Sequence, residues 1–313
     1  MQNISLADFL EYRFLSKLQL SPDGTKAAFV VSRQNKRENN YAADIYLAHC
    51  AAHSIKQLTH TGKEHDFVWD GADTLLFPSC RCKEDEAPRF YQKTVFYRLS
   101  LSGGEAYRAF EVPYDVKEIC PCGDGVHYAM AVRIDHTRPD PRTHTMEECE
   151  DAEDYILLEE MPFATNGEGY TSRVRMTLAL YNAETDETKL LTPPMFMLGA
   201  FRWAGKQLVY TGHSYTTVKA KTKGMYAYSL ATGETRTLVE DGALAIYHIG
   251  EEEGTVLFTA SDLKQYGSAS GQDFYKLSLA GGGCEKLLAH ELVPGTSPIT
   301  DSTYASGNAF VCA

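Results

Sequence analysis

The sequence has no long apolar segment, no cluster of basic residues and no secretion signal. No apolar run approaches the roughly 18 residues that a membrane-spanning helix needs. Residues 1–5 show neither the basic start nor the apolar stretch of a signal peptide. The formal charge is −12, and without a stripe of Lys and Arg the phosphates of a nucleic acid have no partner. We therefore expect a cytoplasmic protein that binds neither membrane nor nucleic acid.

Two motifs that would indicate catalysis or metal binding are also missing. A serine nucleophile elbow reads G-x-S-x-G, and the nearest string, at residues 212–216, lacks the final glycine. The pairs Cys80/Cys82 and Cys120/Cys122 have one intervening residue, which is shorter than the usual spacing of zinc ligands. We expect these thiols on loops of adjacent repeats. The sequence predicts no catalytic residue, no metal and no cofactor in this chain.

What the sequence does contain is a repeated pattern of turns and apolar strands. The first copy opens with the turn Ser21-Pro22-Asp23-Gly24 and the strand that follows it, continues at residues 44–47 and ends at residues 55–59 with Leu-Thr. A repeated four-strand unit of roughly 40 to 50 residues is typical of a propeller blade, which buries its faces against neighbouring blades. The pattern therefore predicts an all-β fold, a β-propeller of four-stranded antiparallel blades.

The repeat recurs along most of the chain. We expect an N-terminal helix or turn segment at residues 1–17, capped by Ser5 and Asp8, followed by a propeller at residues 18–313. About five blades are complete, and a sixth begins near residues 309–311. Because a terminal repeat is normally capped, we expect a chain truncated from a propeller of seven blades.

An insertion at about residues 135–174 interrupts the third blade. It is far longer than an ordinary connection between strands, and insertions into a repeat commonly carry function. It contains the acidic residues Glu147, Glu148, Glu150, Asp151, Glu153, Asp154, Glu159 and Glu160, and the basic residues Arg173 and Arg175. One interpretation is a solvated acidic loop whose carboxylates meet these arginines. The other is that Glu159 or Glu160 faces a cavity and binds the α-amino group of a peptide, because a desolvated ammonium needs a carboxylate.

The sequence resembles the N-terminal propeller of the prolyl oligopeptidase family of serine peptidases, in its acylaminoacyl-peptidase-like branch. The resemblance depends on the turn at residues 21–24, on Asp44-Ile45-Tyr46-Leu47, on Gln57-Leu58-Thr59 and on the insertion strings at residues 160–163 and 167–170. Members of that family join a seven-bladed propeller to an α/β-hydrolase domain with a Ser-Asp-His triad. Related dipeptidyl peptidases hold the substrate N-terminus with paired glutamates.

The resemblance implies a gating and substrate-selecting propeller domain of a serine peptidase that cleaves short peptides. Its partners would be short peptides and a C-terminal α/β-hydrolase domain, and the chain alone would be inactive. Substrate binding is expected at Glu159, Glu160, Arg173 and Arg175, and self-association is left open. The alternatives are a stand-alone propeller that binds other proteins and a five-bladed glycoside-processing enzyme, which would require two carboxylates flanking one sugar bond.

Overall fold

The computed structural model describes residues 5–289, which form five four-stranded antiparallel sheets with the strand order of propeller blades. These residues divide into two units, 5–87 with 93–112 and 88–92 with 113–289. The sixth blade predicted near residues 309–311 lies outside the described residues. None of the helices between residues 5 and 289 is long and apolar enough to cross a membrane.

The first unit contains two blades, preceded by a short 3-10 helix at Leu6–Glu11. Blade 1 consists of β1 (Arg13–Leu20), β2 (Lys26–Asn35), β3 (Asn40–His49) and β4 (Ser54–Gln57). Blade 2 consists of β5 (Val68–Trp69), β6 (Thr74–Pro78), β7 (Thr94–Ser100) and β8 (Tyr107–Val112), with a 3-10 turn at Lys83–Asp85.

The second unit contains three blades. Blade 3 consists of β9 (Asp115–Pro121), β10 (His127–Asp135), β13 (Val174–Asn182) and β14 (Glu187–Leu190), and between β10 and β13 lie α1 (Met146–Asp151), β11 (Ala164–Thr165) and β12 (Gly169–Tyr170). Blade 4 consists of β15 (Phe196–Ala204), β16 (Gln207–Ser214), β17 (Gly224–Ser229) and β18 (Thr235–Val239). Blade 5 consists of β19 (Ala245–Glu252), β20 (Thr255–Ser261), β21 (Asp273–Ser278) and β22 (Glu285–Leu288), with a 3-10 turn at Gly267–Ala269.

The local turn and cap predictions agree with the structure. Ser5 caps the first helix and the carboxylate of Asp8 accepts a hydrogen bond from the Ser5 backbone N–H. Gly24 has a φ of 68°, a conformation that glycine adopts without steric cost. The first strand, however, already begins at Arg13 and therefore inside the segment predicted as helix or turn. A bulge in β1 near Lys17 explains why its apolar residues do not follow a simple alternation.

Apolar side chains fill the spaces between neighbouring sheets within each unit. In the first unit one cluster joins blades 1 and 2, and it includes Val30, Ile45, Leu75, Phe77 and Tyr97. In the second unit one cluster joins blades 3 and 4, including Ala129, Leu178, Phe201, Leu208 and Tyr210, and another joins blades 4 and 5, including Val209, Met225, Val256, Phe258 and Leu277. Burial of these faces supplies the main stabilisation, at about 25 cal/mol per Å² of apolar surface.

The repeated Leu-Thr pair closes the outer edge of two blades in the same way. The Leu58 backbone N–H donates to the carbonyl oxygen of Ile45 at 2.8 Å, and the Ile45 N–H donates to the hydroxyl oxygen of Thr59 at 2.9 Å. In blade 3 the corresponding distances are 2.7 Å from Leu191 to Leu178 and 3.1 Å from Leu178 to Thr192. Each threonine is buried. Its hydroxyl oxygen accepts the backbone N–H of Ile45 or Leu178, in place of a carbonyl oxygen from the neighbouring strand.

We expect Thr59→Val and Thr192→Val each to lower the free energy of unfolding by about 1–3 kcal/mol, because valine keeps the shape but leaves a buried N–H unpaired. Urea denaturation followed by circular dichroism measures the change. Thr185→Val, at an exposed turn position, is the matched control and should change stability by less than about 0.5 kcal/mol. Equal effects at all three positions would contradict this role of the buried hydroxyls.

Candidate functional site

The insertion that separates β10 from β13 carries the predicted site. Its acidic side chains at residues 147, 148, 150, 151, 153, 154 and 159 are exposed, whereas Glu160 is buried. The Glu148 carboxylate accepts a hydrogen bond from the Thr145 backbone N–H and caps the N-terminus of α1, so its role is structural. Arg89 pairs with Glu150 at 3.0 Å and with Glu153 at 2.8 Å. The acidic segment is therefore partly neutralised by ion pairs at the surface.

The centre of the site is a buried ion pair between Glu160 and Arg175. Both side chains are nearly inaccessible, with exposed fractions of 1% and 0%. The guanidinium donates two hydrogen bonds to the carboxylate, from Nη2 to Oε1 at 2.5 Å and from Nη1 to Oε2 at 3.0 Å. The Arg173 backbone N–H adds a third, to Oε2 at 2.8 Å. This bidentate geometry joins the insertion to β13 and gives both charges hydrogen-bonding partners in the protein.

The rest of the Arg175 guanidinium is bound by residues next to β15 and β16. Its Nε donates to the Met195 carbonyl oxygen at 3.2 Å, and its Nη2 donates to the Tyr215 carbonyl oxygen at 2.9 Å. The guanidinium also lies 3.8 Å from the centre of the Tyr215 ring, a cation–π contact. All three nitrogens of the guanidinium are thus occupied, so Arg175 is a structural cation that holds blade 4 and the insertion together.

The protonation of Glu160 follows from this environment. Burial alone raises the pKa of a carboxyl group, but the hydrogen bonds from Arg175 and from the Arg173 backbone outweigh it and hold the pKa of Glu160 below its ordinary value. Glu160 is therefore an anion at neutral pH. With three donors already on its two oxygens, it offers little capacity for an additional ligand.

The second predicted pair, Glu159 and Arg173, is exposed to solvent. Glu159 and Arg173 are 2.8 Å apart, and their side chains are 44% and 38% exposed. The structure thus brings all four predicted residues together as two ion pairs, one buried and one accessible. An accessible carboxylate can exchange its arginine partner for another cation, such as an ammonium group. Substrate binding by these four residues stays a prediction.

The insertion and the loop after β16 also carry exposed apolar side chains. They have exposed fractions between 42% and 66% and comprise Tyr155, Ile156, Leu157, Leu158, Met161, Phe163 and Tyr170 of the insertion and Val218 of the loop after β16. The Met161 N–H donates to the Thr217 carbonyl oxygen at 2.7 Å, and the Lys219 N–H donates to the Met161 carbonyl oxygen at 3.1 Å. An exposed apolar surface of this kind is typical of a contact region for another domain or protein.

The string that partly resembles a nucleophile elbow is a blade strand. Residues 212–214 end β16, and the chain continues into a loop and then into β17. Its glycine has a packing role, since a Cβ at Gly212 would lie 2.3 Å from the Phe196 ring. The helix that a nucleophile elbow requires does not follow this string.

The thiols are placed partly as expected. Cys80 and Cys82 lie on the loop after β6, but Cys120 lies within β9 and not on a loop, because its side chain fills the space next to the core of blades 3 and 4. Burial raises the pKa of the Cys122 thiol to about 12. Within residues 5–289 no three His, Cys, Asp or Glu side chains are grouped as metal ligands.

Sequence reasoning missed Tyr215, His213 and His136, which surround Arg175. His213 is 1% exposed and its ring lies 5.4 Å from the Tyr215 ring. Burial lowers the pKa of His136, and the charge of Arg175 lowers it further. No spacing along the chain connects these residues with Glu160. The only available signal was the unusual concentration of polar residues at the end of a buried strand.

Comparison with known proteins supports the fold. No protein-family model matches the chain. The chain is 29% identical over 201 residues to the uncharacterized peptidase YuxL of Bacillus subtilis (strain 168), a match that covers 62% of this chain and 29% of that protein. The chain thus spans less than a third of the curated relative that it matches.

Solved propellers resemble the structure at lower identity. An acylaminoacyl peptidase from Pyrococcus horikoshii has a TM-score of 0.65 and 16% identity, over 89% of this chain and 40% of that chain. The β-propeller domain of the Trilobed protease from Pyrococcus furiosus, described as having an open velcro topology, has a TM-score of 0.56 and 11% identity, over 89% of this chain and 72% of that chain. These matches confirm the predicted propeller of four-stranded blades and its similarity to peptidase propellers.

We expect Glu160→Gln to lower the free energy of unfolding by about 3 kcal/mol or more, because it leaves the buried Arg175 cation uncompensated. Glu159→Gln, which alters the exposed pair next to it, should cost less than about 1 kcal/mol. Chemical denaturation of both variants measures the difference. Similar stability of the two variants would contradict a structural role for the buried pair.

Proposed function

We propose that this chain is the substrate-selecting propeller domain of a serine peptidase, and that it controls which peptides reach an α/β-hydrolase domain. The observation that carries the proposal is the match of 201 residues to a protein named as a peptidase, in a chain whose described residues contain propeller blades and no hydrolase sheet. The similarity to acylaminoacyl peptidase propellers supports the same role.

The insertion suits a selective role because it combines a rigid anchor with an accessible surface. The Glu160–Arg175 pair and the hydrogen bonds of Met161 fix its position against blade 4. The exposed apolar side chains near Met161 and Val218 supply a contact surface for the hydrolase domain. The exposed carboxylate of Glu159 then binds the α-amino group of a peptide. Glu160 holds the insertion in place and so positions Glu159.

Peptidase assays on the complete gene product test the proposed role. We expect hydrolysis of short peptide p-nitroanilides, inhibition by a serine-directed phosphonate, and little cleavage of casein. The chain 1–313 alone should be inactive, and a hydrolase segment without the propeller should lose its preference for short substrates. A purified, folded gene product without peptidase activity would overturn the proposal and favour a stand-alone interaction propeller.

We expect Glu159→Gln to reduce kcat/KM about tenfold for substrates with a free α-amino group, since a charge-assisted hydrogen bond is lost. The acetylated forms of the same peptides, which carry no ammonium, should be cleaved at the unchanged rate. Glu147→Gln, another exposed carboxylate of the insertion, is the matched control. Equal losses for free and acetylated peptides would assign Glu159 a structural role and rule out amino-group binding.

A further inference from the structure

His213 is a buried histidine whose ring has no hydrogen-bond partner. It lies near the end of β16, it is 1% exposed, and neither Nδ1 nor Nε2 is hydrogen-bonded. Such a site accepts the neutral ring, because a buried imidazolium would need a partner for each N–H. The peptidase role proposed above makes no use of this residue.

The His213 ring lies beside the ring of Tyr215, the residue that contacts Arg175. It lies 5.4 Å from the Tyr215 ring at an interplanar angle of 30°. The Tyr215 ring also contacts the guanidinium of Arg175, which in turn holds Glu160. His213 therefore supports the aromatic ring on which the anchor of the insertion depends.

Burial and three nearby cations oppose the protonation of His213, and one carboxylate favours it. Burial lowers the pKa of His213, and it is lowered further by Lys219 and Lys223 of the loop after β16 and by Arg175 of β13, while Asp241 after β18 acts in the opposite direction. His136, the residue directly after β10, also lies near Arg175, and its Nε2 is buried without a partner. A proton on His213 thus adds a cation to a region that already contains a fully buried one.

We propose that His213 is the acid-sensitive element of a latch: the neutral ring holds Tyr215 against Arg175, and protonation of the ring releases the insertion from blade 4. The latched state binds the proton less readily than the released state, so acidification favours release. The effect begins as the pH falls below about 6.5, the ordinary pKa of histidine, and the ratio of latched to released protein changes by at most about tenfold per pH unit. The latch is a property of this chain and does not depend on the peptidase role.

Hydrogen exchange tests the latch on residues 1–313. Three amides report on it: Met161, which donates to Thr217, Lys219, which donates to Met161, and Arg173, which donates to Glu160. Mass spectrometry of peptides covering these amides, at pH values from 7.5 to 5.0 and corrected for intrinsic exchange rates, gives their protection factors. We expect protection to fall several-fold to about tenfold per unit below pH 6.5, while the amide of Leu191 in blade 3 stays protected.

Two variants assign the effect to His213. His213→Phe and His213→Met both remove the titrating ring, so either one that folds should show protection independent of pH over this range. His136→Phe and the exposed-site control His248→Phe should keep the response of the unaltered chain. Protection that does not change with pH in the unaltered chain, a persistent response in the His213 variants, or its loss in His136→Phe would each overturn the proposal.

Discussion

The apolar face of a four-stranded sheet has to be covered, and blade 4 has two such faces, which blades 3 and 5 cover. Within each unit the covering is done by the next sheet, so that residues such as Phe77 and Leu208 are completely buried although every sheet is only one layer thick. This constraint explains the repeat in the sequence, because each blade has to present the same two surfaces. It also explains where variation is tolerated. A long segment such as the insertion is tolerated only where it does not disturb the packing of the apolar faces between neighbouring sheets.

The fold was predictable because its signals are local. The turn at Ser21-Pro22-Asp23-Gly24, the apolar strand after it and the Leu-Thr pair each depend on neighbouring residues, and each returns in the structure as a turn, a buried strand or a hydrogen-bonded edge. The boundary of β1 was less predictable. A bulge near Lys17 interrupts the alternation by which a strand is recognised, so the strand extends further toward the N-terminus than its apolar pattern indicates.

The candidate site was predictable only in part, since it depends on contacts between distant segments. The sequence indicated that acidic and basic residues of the insertion would pair, but it gave no means of deciding which pair is buried. That choice is made by Tyr215 and Met195, about 40 and 20 residues further along the chain, which bind Arg175 from the side of blade 4. Glu159 lacks such neighbours and remains at the surface, although it is adjacent in sequence to Glu160.

Burying Glu160 and Arg175 has an energetic consequence for everything around them. Two charges removed from water are stable only while every hydrogen bond between them and their surroundings is made, so the loss of one partner affects all the others. The hydrogen bonds of such a buried pair are expected to break together in a single step, because a partly broken pair leaves a buried charge uncompensated. Near Arg175, both ring nitrogens of His213 and the Nε2 atom of His136 are buried without a hydrogen-bond partner. The Glu160–Arg175 pair, the Arg173 N–H and the hydrogen bonds of Met161 adjoin one another, so this part of the insertion is held or released as a unit.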